Sequence, residues 1–323
     1  MNGTRYEIYK GFLNLRRLGI NKISSIDRLE NHSKLFNLAL DKNKITEIEN
    51  LSFLKDLHYL GLAFNQIREI KGLENLKNLV ALDLMENSIS EIQGLDKLEH
   101  LKRLILSGNE INEIKGLDKL NNLEELRLRD NNISEIKNLD HLAKLKELDL
   151  SSNKISEIKN LERLSNLQIL HLSRNEISEI KNLDNLTDLQ KLTLSWNKIE
   201  ELNKSSLKHL KNLNYLSIVN NRIKKIEDMT YLPKLEEIDL SGNQIIEIHG
   251  FDNLPSLKEL FISGEHLSNI RELRYAPKLQ KIEVLFKDGY SESIFTRLDQ
   301  EFSKIGFRVE NKFSKVIRFI KAD

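Results

Sequence analysis

Residues 145–166 read LKELDLSSNKISEIKNLERLSN, and most of the 323-residue chain consists of variations on this 22-residue unit. The pattern L-x-L-x-x-N-x-I repeats with its asparagine every 22 residues from Asn21 to Asn243, apart from a single 24-residue step. In the same register, Glu265 stands where the next asparagine would be. A period of this length is typical of a solenoid, in which each unit is stable only when it packs on its neighbours.

Within each unit, the residue types suit a short strand followed by a turn. Residues 147–151 alternate polar and apolar side chains with the two-residue period of a strand, so Leu148 and Leu150 are predicted to point into the core. An asparagine amide both donates and accepts hydrogen bonds, and can therefore satisfy backbone groups of its own turn and of the next one. The predicted structural asparagine ladder consists of Asn21, Asn43, Asn65, Asn87, Asn109, Asn131, Asn153, Asn175, Asn197, Asn221 and Asn243.

This repeat resembles the leucine-rich-repeat superfamily in its short 22-residue class, which includes the regulatory subunits of type-one serine/threonine phosphatase and the bacterial internalins. The resemblance covers roughly residues 13–290. It implies a right-handed solenoid with a parallel sheet on its concave face, capped at both ends. It also implies that ligands bind on the concave face.

The end of the chain departs from the repeat. The apolar spacing over 291–305 predicts a helix that ends before Gly306, and residues 307–310 and 315–320 read as two short strands. The fold class is therefore α/β: a leucine-rich-repeat solenoid of about 12 coils with a C-terminal α/β cap. The predicted domains are an N-terminal cap with a first degenerate coil (1–30), the solenoid (31–286) and the C-terminal α/β cap (287–323).

The outward-facing positions of the strands carry the candidate functional residues. Apolar side chains stand there in two groups although the solenoid does not need them. A charged belt lies between the groups and consists of Arg103, Glu125, Arg127, Arg129, Asp130, Glu147, Asp149 and Arg174. Aromatic and arginine side chains are the usual energetic anchors of protein interfaces. The predicted partner-binding residues are Tyr59, Phe64, Met85, Ile105, Arg103, Arg127, Arg129, Glu147, Asp149, Ile169, His171, Trp196, Tyr215, Val219 and Phe261.

Composition and motifs argue against catalysis. The chain has no cysteine, which excludes disulfides, thiol nucleophiles and cysteine-bound zinc. It contains no phosphate-binding glycine motif and no H-E-x-x-H sequence. Asp149, His171 and either Ser173 or Ser195 share the predicted face, but an open sheet offers no oxyanion donors and does not exclude water. We therefore expect no enzyme activity, no cofactor and no metal.

The expected function is a non-catalytic interaction scaffold, or a regulatory or adaptor subunit, that binds a protein partner on the concave face. The alternative is a structural or self-associating module acting through the C-terminal cap, because six phenylalanines lie within 286–319. A net charge of +1 predicts neither nucleic-acid nor membrane binding, and no small-molecule substrate is expected. Charged Arg5, Glu7 and Lys10 interrupt any secretory hydrophobic segment, so we expect a cytoplasmic location.

Overall fold

The computed structural model describes residues 8–202, 205–226 and 231–322, so part of the predicted N-terminal cap, residues 1–7, lies outside the described residues. The chain divides into two compact units, Met1–Ile155 (unit 1) and Ser156–Asp323 (unit 2). In both units a short strand recurs at the repeat interval, giving about twelve turns over the described residues. The predicted parallel-sheet solenoid is therefore confirmed.

Unit 1 contains a parallel sheet whose strands follow one another in chain order. The strands of its described residues are β1 (Phe12–Asn14), β2 (Asn37–Ala39), β3 (Tyr59–Gly61), β4 (Ala81–Asp83), β5 (Arg103–Ile105), β6 (Glu125–Arg127) and β7 (Glu147–Asp149). Two short 3₁₀ helices, Ile23–Ser25 and Leu29–Asn31, lie on the return path between β1 and β2.

Unit 2 continues the same strand pattern and ends in an α/β cap. Its described elements are β8 (Ile169–His171), β9 (Lys191–Thr193), β10 (Tyr215–Ser217), β11 (Lys225–Ile226), β12 (Glu237–Leu240), β13 (Glu247–Ile248), β14 (Glu259–Ser263), β15 (Lys281–Leu285), α1 (Glu292–Lys304), β16 (Phe307–Lys312) and β17 (Val316–Lys321). The sheet order is β8-β9-β10-β12-β14-β15-β17-β16, with β11 and β13 paired separately. Two 3₁₀ helices, Phe251–Asn253 and Arg271–Tyr275, lie in the return segments.

Leucine and isoleucine fill the space behind each strand. In the turn around Asn109, Leu104 and Leu106 of the strand side and Ile111 and Ile114 of the return side are all fully buried. Burying one such side chain contributes about 1.5–3 kcal/mol, and each needs apolar neighbours in the adjacent turns. The opposite side of each strand faces the solvent, and we call this side the sheet face of its unit.

The asparagine ladder ties neighbouring turns together. Asn109 is only 8% exposed, and its Nδ2 donates to the carbonyl oxygens of Leu84 (3.0 Å) and Leu106 (2.9 Å). Its Oδ1 accepts from the backbone N–H of Ile89 at 3.0 Å. Each asparagine from Asn43 to Asn243 donates to the carbonyl three residues earlier. The amides thereby satisfy backbone groups that would be costly to bury unpaired.

The prediction that Asn21 opens the ladder is wrong. Strand β1 pairs with β2 so that Leu13 faces Leu38, which places Leu18 rather than Asn21 opposite Asn43. Asn21 is exposed, and Asn43 Oδ1 accepts from the backbone N–H groups of Leu18 and Ile20 instead. The first turn is longer than the regular unit because burial of Leu13 and Leu15 determines the pairing.

The C-terminal cap forms as its spacing predicts. Helix α1 begins after Ser291, whose Oγ accepts from the backbone N–H of Ile294. The buried rings of Phe302 in α1 and Phe319 in β17 have centroids 4.1 Å apart. Strand β17 pairs antiparallel with β15 and therefore covers the last parallel strand of unit 2. The described residues contain no helix with the length and apolar character needed to cross a membrane.

Candidate functional site

The backbone at one recurring position has an unusual conformation. The residue before each ladder asparagine has a positive φ, and Gly108, Asp130, Asn220 and Gly242 there are residue types that tolerate it. Two aromatic residues occupy the same position: Phe64 (φ 56°) and Trp196 (φ 60°). Phe64 is 44% exposed and Trp196 is 52% exposed. Lys42, Glu86, Ser152 and Arg174 have the same conformation, so the left-handed backbone belongs to the turn. What distinguishes Phe64 and Trp196 is a large ring left open to solvent at this position.

In unit 1, the predicted apolar residues lie on or just after the neighbouring strands β3, β4 and β5. The backbone N–H of Phe64 donates to the carbonyl of Met85 at 2.8 Å, and Lys42 Nζ lies 5.0 Å from the centroid of the Phe64 ring. Tyr59, Met85 and Ile105 are half-buried. Burial raises the pKa of Tyr59, and the nearby charge of Asp41 adds to this effect.

A polar cluster that the sequence did not reveal lies beside Tyr59. Arg16 Nε is 2.5 Å from Asp41 Oδ2, and the backbone N–H of Ala63 donates to Asp41 Oδ1 at 3.1 Å. Gly61 leaves room for this cluster, since a Cβ there would come within 2.7 Å of the Tyr59 hydroxyl. The pairing was missed because Arg16 and Asp41 are 25 residues apart and the register of β1 was not apparent.

The charged belt of unit 1 is neutralised internally. Arg103 Nε donates to Glu125 Oε2 at 2.5 Å. Arg127 Nε lies 2.7 Å from Glu125 Oε1 as an ion pair, but it donates its hydrogen bond to Glu147 Oε1 at 3.1 Å. Arg127 Nη2 also lies 3.0 Å from Glu147 Oε1. Arg103, Arg127 and Glu147 are therefore brought together through Glu125, which the predicted site did not include. Arg129 is exposed and lies outside these pairs, and Asp149 Oδ1 accepts from the backbone N–H of Ser151 at 2.9 Å.

In unit 2, a basic side chain lies over the ring of each of the predicted aromatic residues Trp196 and Tyr215. Arg174 Cζ lies 5.1 Å from the centroid of the Trp196 ring, and Lys191 Nζ lies 4.9 Å from the centroid of the Tyr215 ring. Lys191 pairs directly with Tyr215 in the β9–β10 register. These contacts hold each ring and each charged group in a defined place on the sheet face.

The other predicted residues of unit 2 surround these two ring–cation pairs. Ile169, His171 and Val219 are half-buried. His171 Nδ1 lies 2.9 Å from Thr193 Oγ1, and Ser195 Oγ lies 2.7 Å from Ser217 Oγ. The imidazole thus has a threonine partner on the next strand, while the serine hydroxyl bonds a second hydroxyl.

Phe261 is separated from the other aromatic residues of unit 2. Strand β12 lies between β10 and β14 and presents Glu237 and Asp239 on the sheet face. Burial raises the pKa of Glu237, and the neighbouring charges of Glu259 and Asp239 raise it further. Lys281 Nζ lies 5.1 Å from the centroid of the Phe261 ring and 2.7 Å from Glu259 Oε2. Phe261 therefore belongs to an acidic, ion-paired region.

Comparison with sequence families identifies the repeat. The family model described as "Leucine rich repeat" matches residues 187–245. The model described as "Leucine Rich repeats (2 copies)" matches residues 55–97, 99–142, 121–163, 143–185 and 233–275, which is more than half of the chain. Neither description names an enzyme family. No curated protein matches the sequence.

Solved structures with similar folds include two internalins of Listeria monocytogenes. The functional domain of InlJ aligns with a TM-score of 0.70 at 22% identity, covering 84% of this chain and 57% of the InlJ chain. InlF aligns with a TM-score of 0.66 at 25% identity, and the alignment covers 83% of this chain and 85% of the InlF chain. The TLR13–ssRNA13 complex aligns with a TM-score of 0.68 at 24% identity, and the alignment covers 84% of this chain and 46% of the matched chain.

These comparisons bear differently on the two resemblances expected from the sequence, to internalins and to phosphatase regulatory subunits. The InlJ and TLR13 matches bear on the fold alone at their level of identity, and this chain spans little more than half of the InlJ chain. The similarity to internalins is confirmed, whereas the similarity to phosphatase regulatory subunits stays a prediction. The InlJ domain includes a cysteine ladder, whereas the ladder here is built from asparagine. The repeat, the sheet and the family matches together show that the chain belongs to the leucine-rich-repeat family.

Proposed function

We propose that this protein is a non-catalytic interaction module, a scaffold or regulatory subunit, that binds a protein partner on its sheet face. The observation that carries the proposal is Trp196, a half-exposed ring held in a left-handed backbone conformation with Arg174 stacked against it. A cytoplasmic site of action remains part of this proposal.

Two physical arguments support a binding role for this region. Tryptophan, tyrosine and arginine contribute most to the energy of protein interfaces because they bury a large area and also offer polar contacts. The hydrogen-bonded sheet also holds Trp196 and Tyr215 in place before binding, so little side-chain entropy is lost when a partner arrives. Trp196 leaves half of its ring open to solvent and adds nothing to the buried core, which favours a role in recognition.

The test is affinity capture from a lysate of the native cells, comparing the wild-type protein with Trp196→Glu/Tyr215→Glu. Because both rings lie on the sheet face, the double variant is expected to lose the captured partner while its thermal unfolding changes little. Mass spectrometry identifies the captured proteins, and circular dichroism checks the fold.

Tyr275→Glu is the matched control for this experiment. Tyr275 is 50% exposed and has Arg274 stacked 4.7 Å from its ring centroid, but it lies in the 3₁₀ helix of a return segment. The control is expected to capture the same partner as the wild type. Equal capture by all three proteins would contradict binding through the sheet face of unit 2.

A further inference from the structure

Arg174 and Lys191 differ from the other basic residues around them. Neither has a carboxylate oxygen within 4.0 Å in the part of the chain that the structure describes. Lys281, which begins strand β15 as Lys191 begins β9, is ion-paired with Glu259. Each of the two cations is instead held over an aromatic ring, which positions the charge without neutralising it.

An acidic region lies on the other side of Tyr215. The register places Lys191, Tyr215 and Glu237 side by side on the adjacent strands β9, β10 and β12. Two strand spacings separate Lys191 from Glu237, a distance of roughly 10 Å. Glu237 faces Glu259 on the next strand and shares its own strand with Asp239, so acidic side chains gather on this side of Tyr215. The surface therefore presents positive charge, an aromatic ring and negative charge in that order.

We propose that this surface binds an extended protein segment that carries a carboxylate opposite Lys191 and a basic side chain opposite Glu237. The inference rests on the proposed protein-binding function and specifies the chemistry of the partner. Three residues of extended chain span about 10 Å, so an acidic and a basic residue about three positions apart match the spacing. The rings of Trp196 and Tyr215 contact apolar side chains or the backbone of the same segment.

Charge on both sides of Tyr215 distinguishes this partner from nucleic acid. Arginine and aromatic side chains also bind single-stranded RNA, through stacking and phosphate contacts. A polyanion along the same line would, however, meet Glu237 and Asp239, which repel phosphate. A segment with charges of both signs satisfies both ends and can bind in only one direction.

The test is selection of peptides from a displayed library of random 12-residue sequences on the immobilised full-length protein. The expected result is enrichment of sequences with an acidic and a basic residue about three positions apart. A synthetic peptide of the selected sequence is then titrated against variants by calorimetry. Lys191→Glu is expected to weaken binding about tenfold or more, and Glu237→Lys is expected to weaken it in the same way. A peptide with its two charges exchanged is expected to recover affinity for the combined variant Lys191→Glu/Glu237→Lys.

Lys211→Glu is the matched control. Lys211 is exposed and also lies over a ring, 5.5 Å from the centroid of Tyr231, but it stands in a return segment. This variant is expected to bind the selected peptide as tightly as the wild type does. Thermal unfolding of all variants verifies that the charge changes leave the fold intact.

The possible outcomes separate this inference from the proposed function. Selected peptides that need Trp196 and Tyr215 but have no charge pattern would overturn the inference and leave the proposed function standing. Selected peptides that bind the Trp196→Glu/Tyr215→Glu variant with the same affinity as the wild type would overturn both the inference and the proposed function. The absence of any enriched peptide counts against the inference. Tight binding of a single-stranded RNA oligomer would also count against the inference if that binding depends on Arg174 and Lys191.

Discussion

At the scale of single residues, one amide side chain determines how well neighbouring turns hold together. Asn131 is buried, its Nδ2 donates to Leu106 and Leu128 at 3.0 Å each, and its Oδ1 accepts from Ile111 at 2.9 Å. No other residue type combines this size with two donors and an acceptor at one branch point. The leucines supply the burial energy, and the asparagine allows the backbone to be buried with them.

Asn131→Ala is expected to lower the free energy of unfolding by about 1–3 kcal/mol, because the buried backbone N–H of Ile111 loses its partner. The carbonyls of Leu106 and Leu128 keep the amides of Asn109 and Asn153 as donors. Asn21→Ala is the control, since Asn21 stands in the same sequence register but is exposed and outside the ladder. Its change is expected to stay within about 0.5 kcal/mol. Urea denaturation of both variants measures the difference, and similar losses would contradict the ladder as described.

At the scale of secondary-structure elements, an ionic contact joins strand β13 to the 3₁₀ helix Arg271–Tyr275. His249 Nδ1 lies 3.0 Å from Glu272 Oε1, and His249 Nε2 lies 3.2 Å from Glu247 Oε2. The backbone N–H of Gly250 donates to the second oxygen of Glu272 at 2.9 Å. An imidazole can donate to both carboxylates only when it is protonated, and hydrogen bonds to Glu272 and Glu247 accordingly raise the pKa of His249 above 6.5.

The contact between His249 and its two glutamates is expected to stabilise the protein at low pH. Because the folded-state pKa is raised, the stabilisation is fully present below the unfolded value of 6.5 and is lost as the pH rises through the folded value. His249→Gln is therefore expected to be less stable than the wild type at about pH 5.5, with the difference shrinking at about pH 9. Urea denaturation at both pH values measures this, and a difference independent of pH would contradict the assignment.

His266→Gln is the control for the titration of His249. His266 is an exposed histidine of the same unit. The variant is expected to keep the pH dependence of the wild type, so any change specific to His249→Gln reports the contact with Glu272 and Glu247.

At the scale of the whole molecule, the exposed edge of the C-terminal cap bears on whether the protein acts as a single chain or associates with a second copy. Strand β16 ends the sheet order of unit 2, so one of its edges is open to another strand. Its register shifts between Val309 and Asn311, and it ends at Lys312. Irregular edges with lysine disfavour pairing with a second chain. Phe313 beside it is 55% exposed, but a single exposed ring is too small an area for a stable dimer.

The protein is therefore expected to be monomeric. Light scattering coupled to size-exclusion chromatography, run over a hundredfold range of concentration, should give the mass of one chain throughout. A mass that doubles with concentration, and that Phe313→Glu returns to the single-chain value, would instead support the self-associating alternative.

The sequence alone was sufficient for the repeat, the core and the cap helix. These features depend on local spacing: the two-residue alternation around Leu148, the recurring asparagine, and the apolar period over 291–305 are readable without neighbours. The first turn was the exception. Its register follows from which leucines can be buried against β2, and the nearby Asn21 offered a misleading match.

The character of the sheet face was decided only by tertiary structure. Sequence placed Arg127 and Arg174 in a single charged belt, but pairing across strands neutralises Arg127 through Glu125 and leaves Arg174 stacked on Trp196. The residues that pair with these arginines lie in neighbouring turns of the chain. Which charged side chain forms the pair depends on the length and the burial of the side chains. The repeat thus determines which positions reach the surface, whereas contacts between strands determine which charges remain open to a partner.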